Sequence, residues 1–178
     1  GSSGTAGTSG TAGTSGTSGT SGINVGSSAV EILAAGTCST YRCAVGNSAA
    51  GNYAASLGGQ NNAASGACSF LGGGLSNTAS GAQSFIGGGF INSVSGNRSS
   101  VVGGCCHIVS GSESFVGGGG CHIICSGAGT GYSTISGGYR NKTTGYMNTI
   151  GGGWLNTASN CYSSILGGCN NTASGCFS

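Results

Sequence analysis

A fifteen-residue repeat constrains the fold of this chain more than any other feature. The run ACSFLGGGLSNTASG at 67–81 is followed directly by AQSFIGGGFINSVSG at 82–96, and related copies continue to the end of the chain. With glycine placed at position 15 of each unit, the copies begin at Gly22 (degenerate), Thr37, Asn52, Ala67, Ala82, Asn97, Ser112, Gly131, Tyr146, Cys161 and Cys176. An internal period of this kind predicts a solenoid, in which each unit buries its core only against its neighbours.

Within each unit, residue types recur at positions spaced by two, which is the side-chain period of a β-strand. Position 3 is mostly serine, position 5 becomes aliphatic, position 11 is asparagine or histidine, and position 13 is small or branched. Glycines at positions 6–8 and Ser-Gly at positions 14–15 predict the turns between the strands. The fold class predicted is all-β, a parallel β-roll or β-solenoid of about ten rungs. An inward asparagine at position 11 of each rung would bond to the rungs above and below it.

Residues 1–21 follow a different period. They form seven triplets, GSS GTA GTS GTA GTS GTS GTS, and each opens with glycine. This favours a collagen-like triple-helical stem, because only glycine fits at the crowded axis of that helix. A flexible linker is the alternative, since proline is absent. A triple helix needs three chains and therefore predicts a homotrimer. Its outward threonines are candidate O-glycosylation sites: Thr5, Thr8, Thr11, Thr14, Thr17 and Thr20.

Residues 22–36, GINVGSSAVEILAAG, join the stem to the repeats at 37–178. Several apolar side chains lie close together in this junction, beside Glu31. We expect a small apolar plug between three chains or a cap on the open end of the solenoid, and the two interpretations are compatible. Because the last copy stops after three residues, at Ser178, we also expect the chain to be a piece of a longer protein.

Composition argues against several classes of function. The net charge is only +2 and charged residues make up 3% of the chain, which leaves no basic patch for nucleic acid. No apolar run approaches the roughly 20 residues of a membrane span. Aspartate is absent, and the two glutamates, Glu31 and Glu113, lie far apart in the repeat. Because this leaves no carboxylate pair and no Ser/His/Asp set, we expect neither an enzyme nor a resident cofactor.

One insertion interrupts the repeats. The segment IICSGAGTG at 123–131 adds about four residues to the period and predicts a surface loop. Nearby, Arg140 and Lys142 are half of the basic residues of the chain, with Tyr132, Tyr139 and Trp154 close to them in sequence. These five residues form a candidate recognition patch. An ordinary solvated surface is the alternative, since single exposed aromatic residues are common.

The run GAQSFIGGGFINSVSG at 81–96 and the recurring NTASG turn resemble the head repeats of trimeric autotransporter adhesins and the repeats of phage and viral tail fibres. The resemblance covers about residues 37–178 and implies a left-handed parallel β-roll, with three rolls packed about one axis. Residues 1–21 resemble the collagen-like segments of bacterial, phage and giant-virus fibres. The chain departs from the adhesin heads in its period of fifteen, its ten cysteines and its lack of a visible membrane anchor.

Four of the ten cysteines fall on matching positions of successive rungs. Cys106 and Cys121 share position 10, and Cys161 and Cys176 share position 1. Stacked strands are about 4.8 Å apart, and a disulfide needs a Cα separation of about 4.4–6.8 Å. The pairs Cys106–Cys121 and Cys161–Cys176 are therefore candidate disulfides, in keeping with an oxidising extracellular setting. The alternative is that several are buried free thiols.

His107 and His122, the only histidines, replace the ladder asparagine in adjacent rungs, and each follows a cysteine. In a trimer with position 11 near the axis, the imidazoles would form two layers that suit a transition metal, as in some phage fibres. Together with Cys106 and Cys121 they are the candidate metal ligands. The alternative is a structural one, in which histidine takes the hydrogen-bonding role of asparagine.

The sequence predicts a structural component of an extracellular fibre, either a virion tail fibre or a cell-surface filament, with an adhesive role. Its expected partners are two further copies, end-to-end neighbours in a filament, and a host receptor or glycan. The alternatives are a monomeric ice- or glycan-binding solenoid and a metal-binding repeat module. Three motifs fit the N-glycosylation pattern, at Asn97, Asn141 and Asn170.

Overall fold

The protein is an all-β parallel solenoid of about eight turns, fewer than the roughly ten rungs predicted, because Val30–Glu31 pairs antiparallel and the copy that begins at Cys176 stops after three residues. The computed structural model describes residues 30–31, 39–42, 46–125 and 131–178. The predicted stem at 1–21 and most of the junction lie outside these residues. The strands are β1 (Val30–Glu31), β2 (Thr40–Arg42), β3 (Ser48–Ala49), β4 (Ala55–Ser56), β5 (Ala63–Ala64), β6 (Phe70–Leu71), β7 (Thr78–Ala79), β8 (Phe85–Ile86), β9 (Ser93–Val94), β10 (Ser100–Val101), β11 (Ile108–Val109), β12 (Phe115–Val116), β13 (Ile123–Ile124), β14 (Thr134–Ile135), β15 (Lys142–Thr143), β16 (Thr149–Ile150), β17 (Thr157–Ala158), β18 (Ser164–Ile165) and β19 (Thr172–Ala173).

The strands form two sheets along the solenoid. The first contains β1, β2 and the even-numbered strands to β18, and the second contains the odd-numbered strands from β3 to β19. From β2 on, each strand pairs in parallel with the equivalent strand one rung away, so Phe70 lies opposite Phe85 and Thr78 opposite Ser93. The first sheet is built from positions 4 and 5 of the repeat and the second from positions 12 and 13. The two-strand rung predicted from the spacing of two is confirmed.

The core lies between the two sheets, and each two-residue strand from β3 on contributes one inward side chain to it. Position 5 contributes aliphatic residues such as Leu71 and Ile86, and position 13 contributes smaller residues such as Ala79 and Val94, all fully buried. Since a single rung supplies only these few apolar groups, stability depends on the stacking of rungs. Polar side chains at positions 3 and 11 border this core and are buried as well.

The predicted asparagine ladder at position 11 is confirmed. The backbone N–H of Asn77 donates to Oδ1 of Asn62 in the rung before it, at 3.0 Å. The Nδ2 of Asn77 donates to the carbonyls of Gly73 and Gly89, at 3.1 and 2.9 Å. Each amide therefore joins two neighbouring rungs and satisfies buried backbone groups that two-residue strands leave unpaired.

A second ladder, which the sequence analysis missed, runs through position 3. The backbone N–H of Ser114 donates to Oγ of Ser99 at 3.0 Å, and that hydroxyl donates to the carbonyl of Gly111 at 2.8 Å. Asn148 takes the same place further along, where its Oδ1 accepts from the N–H of Ser163 at 3.0 Å. Serine hydroxyls at position 3 therefore bond between rungs from Ser99 onward, whereas the buried hydroxyls of Ser69 and Ser84 have no hydrogen-bond partner in the described structure.

Glycine recurs in the rungs for two different reasons, although position 15 of one rung is Asn160. Gly74, at position 8, has a φ of +91°, a region that favours glycine. Gly81, at position 15, has an ordinary φ, but a Cβ there would lie 2.2 Å from the carbonyl oxygen of Gly96. The turns predicted at these positions are confirmed, and position 15 is glycine because successive rungs touch there.

Two expectations for the irregular segments were wrong. The copy predicted to begin at Gly22 would pair in parallel, yet Val30–Glu31 pairs antiparallel with β2. Such a strand covers the edge of the first sheet, as a cap would. The insertion was placed at 123–131, yet Ile123 and Ile124 form β13 and pair with Lys142 and Thr143. The four extra residues therefore fall after Cys125, at 126–130, outside the described residues.

Candidate binding face

Four of the five candidate recognition residues lie where the chain turns into the second sheet and along its outer surface. Position 9 forms a continuous line of parallel bridges along the solenoid, in which Gly120 pairs with Tyr139 and Tyr139 with Trp154. Position 11 is buried, so positions 10 and 12 on either side of it point outward. We use the term cationic face for Tyr139, Arg140, Lys142, Trp154 and Leu155, all of which are exposed.

Aromatic and cationic groups meet on this face. The indole of Trp154 is 50% exposed and the ring of Tyr139 is 42% exposed, on adjacent rungs. The guanidinium carbon of Arg140 lies 5.2 Å from the centroid of the Tyr139 ring, a cation–π distance. This contact orients the Arg140 side chain without neutralising its charge.

A cavity of about 390 Å³ opens beside these rings, across three consecutive rungs. Its walls include Cys121 and Ile123 from the first rung, Arg140 and Lys142 from the second, and Leu155 and Thr157 from the third. The volume lies within the range of small-molecule sites, and such sites combine apolar walls with a few polar groups. The structure therefore brings together four of the five predicted recognition residues: two line the cavity, and Tyr139 and Trp154 directly precede cavity residues.

Tyr132 does not join this cluster. It lies at position 2, on a different corner of the rung, where its ring packs edge-on against Tyr146 at 5.5 Å between centroids. Tyr146 in turn contacts Tyr162, and Tyr162 stacks on Phe177. The aromatic line at this corner continues over four successive repeat units and is separate from the cationic face.

The charges are distributed unevenly over the surface. Arg98 pairs with Glu113 one rung further, at the corner that holds Tyr132. The Arg98 hydrogen bond lowers the pKa of Glu113, and the hydrogen bond to Glu113 raises the pKa of Tyr132. This is the one ion pair in the part of the chain that the structure describes. Arg140 and Lys142 therefore have no carboxylate partner among those residues.

The two histidines are inside the solenoid, not on a shared axis between chains. Both are fully buried, and their rings stack at 4.9 Å between centroids. The Nδ1 of His107 accepts from the N–H of His122 at 3.1 Å, and the Nδ1 of His122 accepts from the N–H of Asn141 at 3.1 Å. Because Nδ1 must be unprotonated to accept, each ring is neutral and takes the place of an asparagine amide.

This geometry separates the four candidate metal ligands. Cys106 and Cys121 lie at position 10 and are partly exposed, whereas His107 and His122 at position 11 point into the core. Among the described residues, no group of three or more His, Cys, Asp or Glu side chains could hold a metal ion. The expected axial layers of imidazoles are wrong for this solenoid, because position 11 is completely covered by the chain itself.

The eight cysteines among the described residues are free thiols. Of the candidate pairs, Cys106 and Cys121 occupy adjacent rungs, and the N–H of Cys121 donates to the carbonyl of Cys105 at 2.8 Å. Burial raises the pKa of the Cys106 thiol, and the neighbouring Cys105 and Cys121 thiols raise it further. Cys161 and Cys176 are also one rung apart. Both disulfides remain predictions for the oxidised protein.

The candidate glycosylation sites differ in access. Asn141 is fully buried, and its Nδ2 donates to the carbonyls of Gly137 and Gly153, both at 3.0 Å. Its proposed glycosylation is therefore wrong for the folded chain, since the amide nitrogen is already used in the ladder. Asn97 and Asn170 are exposed. The threonines of residues 1–21 lie outside the described part of the chain.

Comparison with models of protein families, with curated proteins and with solved structures finds no match for this chain. Nor does the described part of the chain contain a helix long and apolar enough to cross a membrane. The fold and its surface therefore define a class, a β-solenoid repeat protein with a cationic and aromatic outer face.

Proposed function

We propose that this protein is a structural component of a three-chain extracellular fibre, a virion tail fibre or a surface filament with an adhesive role. Residues 1–21 would form a collagen-like stem, and the solenoid would form the shaft or head that follows it. The resemblance to autotransporter adhesin heads and tail-fibre repeats supports this proposal. The single observation that carries it is the character of the outer surface of the first sheet.

That surface is uncharged from Ala55 on and is largely apolar over residues 57–115, whereas serine and threonine occupy most of its positions between residues 134 and 164. It is formed by positions 4 and 6 of the rungs, and we use the term uncharged face for Leu57, Phe70, Phe85, Val102 and Phe115. Phe85, Phe115 and Val102 are 37%, 40% and 51% exposed, and Phe70 stacks on Phe85 at 5.5 Å between ring centroids. From Ala55 to Leu166, positions 4 and 6 contain no charged residue. Aromatic enrichment and depletion of charge are typical of the buried centre of an interface between subunits.

Two further copies of the chain are the occupants we propose for the uncharged face. The glycine period of residues 1–21 calls for three chains, and it would hold three solenoids side by side at the point where they begin. Arg98, Glu113, Arg140 and Lys142 lie elsewhere, on the cationic face and at the Arg98–Glu113 corner. The one charged residue at positions 4 and 6 of the first sheet is Arg42, in its first rung. Packing through the uncharged face would therefore bury the exposed phenylalanines and leave the cations accessible.

The ice-binding alternative is less well supported, because it needs a regular row of threonines on a flat face. Position 12 of the second sheet contains Thr78, Thr157 and Thr172, but Ile108 and Lys142 interrupt the row. The metal-binding alternative is also less well supported. The two histidines point into the core, whereas Cys106 and Cys121 lie at the partly exposed position 10, so the four side chains do not converge on one ion.

Electron microscopy of the full chain tests the proposal. A stem of 21 residues at about 3 Å per residue and about eight rungs at about 4.8 Å would give a particle on the order of 100 Å long. We expect rods with a thin end and a thicker end, each containing three chains. Isolated particles of about 40 Å, the length of the solenoid alone, would contradict the proposal.

A further inference from the structure

We infer that the cationic face binds an acidic saccharide, with the carboxylate or sulfate groups of the sugar held between Arg140 and Lys142. This inference rests on the proposed adhesive role and names the chemical class of its ligand. It uses the cavity of about 390 Å³ and the two exposed rings beside it.

The first argument is charge. Both cations line the same cavity, and no carboxylate of the described residues reaches them. The guanidinium of Arg140 presents a planar fork of donors that matches the two oxygens of a carboxylate or sulfate, and Lys142 adds a second positive charge. An anionic ligand would therefore supply the counter-charge that the protein lacks at this place.

The second argument is the composition of the chain itself. It has no aspartate and only two glutamates, of which Glu113 is already paired with Arg98. A second copy of the same chain thus has almost no carboxylate to offer this cavity. The anion that fits here comes from a different kind of molecule, whereas copies of the chain fit the uncharged face.

The third argument is the shape and the apolar part of the site. Tyr139 and Trp154 lie one rung apart and directly precede the cavity residues Arg140 and Leu155, and Ile123 and Leu155 contribute apolar surface inside the cavity. A saccharide ring has apolar C–H faces and polar edges, so it suits a site in which exposed rings adjoin a few polar groups. The parallel stacking of the rungs sets the backbones of these two residues about 4.8 Å apart along the axis. An extended saccharide could therefore follow the line of position 9.

Trp154 is the only tryptophan in the chain, so its fluorescence reports directly on this face. We would titrate the full-length protein with three polymers of matched length: neutral dextran, carboxymethyl dextran and dextran sulfate. The expected result is a saturable fluorescence change with a charged polymer and none with neutral dextran. Binding of carboxymethyl dextran alone identifies a carboxylate ligand, and binding of dextran sulfate alone identifies a sulfated one.

The test variant is Arg140→Asn/Lys142→Thr, which uses residues that the repeat already carries at these positions, in Asn170 and Thr172. Asn170 even shares the left-handed φ of Arg140, at 56° and 52°. We expect at least tenfold weaker binding. The matched control, Arg98→Gln, removes a cation from another corner at a position where the chain already has Gln83, and should bind as the wild type does.

Equal binding of neutral dextran, equal binding by the double variant, or no binding of any polymer would each overturn the inference. Native mass spectrometry of the same samples separates this failure from failure of the fibre proposal. Trimers that bind no acidic polymer would refute only the saccharide ligand. Single chains that bind it would refute only the fibre.

Discussion

Replacing His107 with asparagine should remove much of the sensitivity of this protein to acid. The chain provides its own template, since Asn92 occupies position 11 one rung before and donates its Nδ2 to the carbonyls of Gly88 and Gly104. In His107, by contrast, Nε2 is buried without a hydrogen-bond partner in the described structure, and Nδ1 must stay unprotonated to accept the N–H of His122. Protonation would therefore oppose the ladder directly.

Burial, and to a smaller extent the neighbouring His122, lowers the pKa of His107 from 6.5 to about 4. The unfolded chain, with the higher pKa, binds more protons between these values, so stability is complete above pH 6.5 and is lost as the pH falls toward 4. For one such group, the free energy of unfolding should fall by about 2 kcal/mol between pH 8 and pH 5. Burial lowers the pKa of His122 in the same direction, so a wild-type loss larger than this is expected.

The assay is urea unfolding of the wild type, His107→Asn and His107→Asn/His122→Asn at pH 8 and pH 5. Between pH 8 and pH 5, the free energy of unfolding of the wild type should fall by the amount calculated above. The fall for His107→Asn should be smaller by about 2 kcal/mol, and the fall for the double variant should be the smallest of the three. Glu113 is present in all three proteins and its pKa is lowered by Arg98, so its contribution is shared. An equal loss in the wild type and the double variant would refute the structural account of the histidines.

Three further predictions concern the repeat itself, and unfolding free energies test all of them. Gly81→Ala should lower the free energy of unfolding by about 2 kcal/mol or more, because the added Cβ would lie 2.2 Å from the Gly96 carbonyl oxygen. Gly103→Ala is the control: its Cβ would have nothing within 4 Å, so it should cost less than about 1 kcal/mol. Equal losses would contradict the close approach of the rungs at position 15. Ile91→Asn should stabilise by about 1 kcal/mol, since Ile91 has a φ of 52° and Asn61, at the same position, has 55°; a loss would count against that backbone conformation. Ile86→Ala should lower the free energy of unfolding by about 3 kcal/mol, because Ile86 is buried. Phe85→Ala in an isolated chain should lower it by less than about 1 kcal/mol, because Phe85 is exposed. A larger loss for Phe85→Ala than for Ile86→Ala would mean that Phe85, and not Ile86, faces the core.

The sequence predicts the rung well because the signals that define it are local and repeated. Serine at position 3 and an aliphatic residue at position 5 alternate as a strand requires, and the asparagines at position 11 recur at the spacing of the stack. Burial of Leu71, Asn77 and Ala79 follows directly from that pattern.

Other features leave no such signal. Positions 2 and 10 adopt left-handed backbone in every described rung, yet they hold residues as different as Cys68, Ile91 and Glu113. Because Gly46 is the one glycine among the described residues at these positions, nothing that recurs in the sequence marks the corners of the rung. For the same reason, the sequence could not show that Tyr132 and Tyr139, seven residues apart, lie on different corners of the same rung.

The histidines show a different limit. The sequence indicated correctly that they replace ladder asparagines, but an axial metal site needs position 11 to face other chains. Whether an inward side chain points into its own solenoid or toward an axis between solenoids depends on where the second sheet closes the core. The full burial of His107 and His122 settles this point, and only the complete rung provides that information.

The mass of the assembled particle in solution, measured by native mass spectrometry or light scattering, is the most direct test of the proposed fibre. The account predicts a particle of three times the 16.7 kDa of one chain. Replacement of Phe70, Phe85 and Phe115 by serine, which position 4 already carries at Ser100 and Ser164, should weaken that assembly. A wild-type particle of 16.7 kDa would contradict the three-chain stem and leave the uncharged face without its proposed partner.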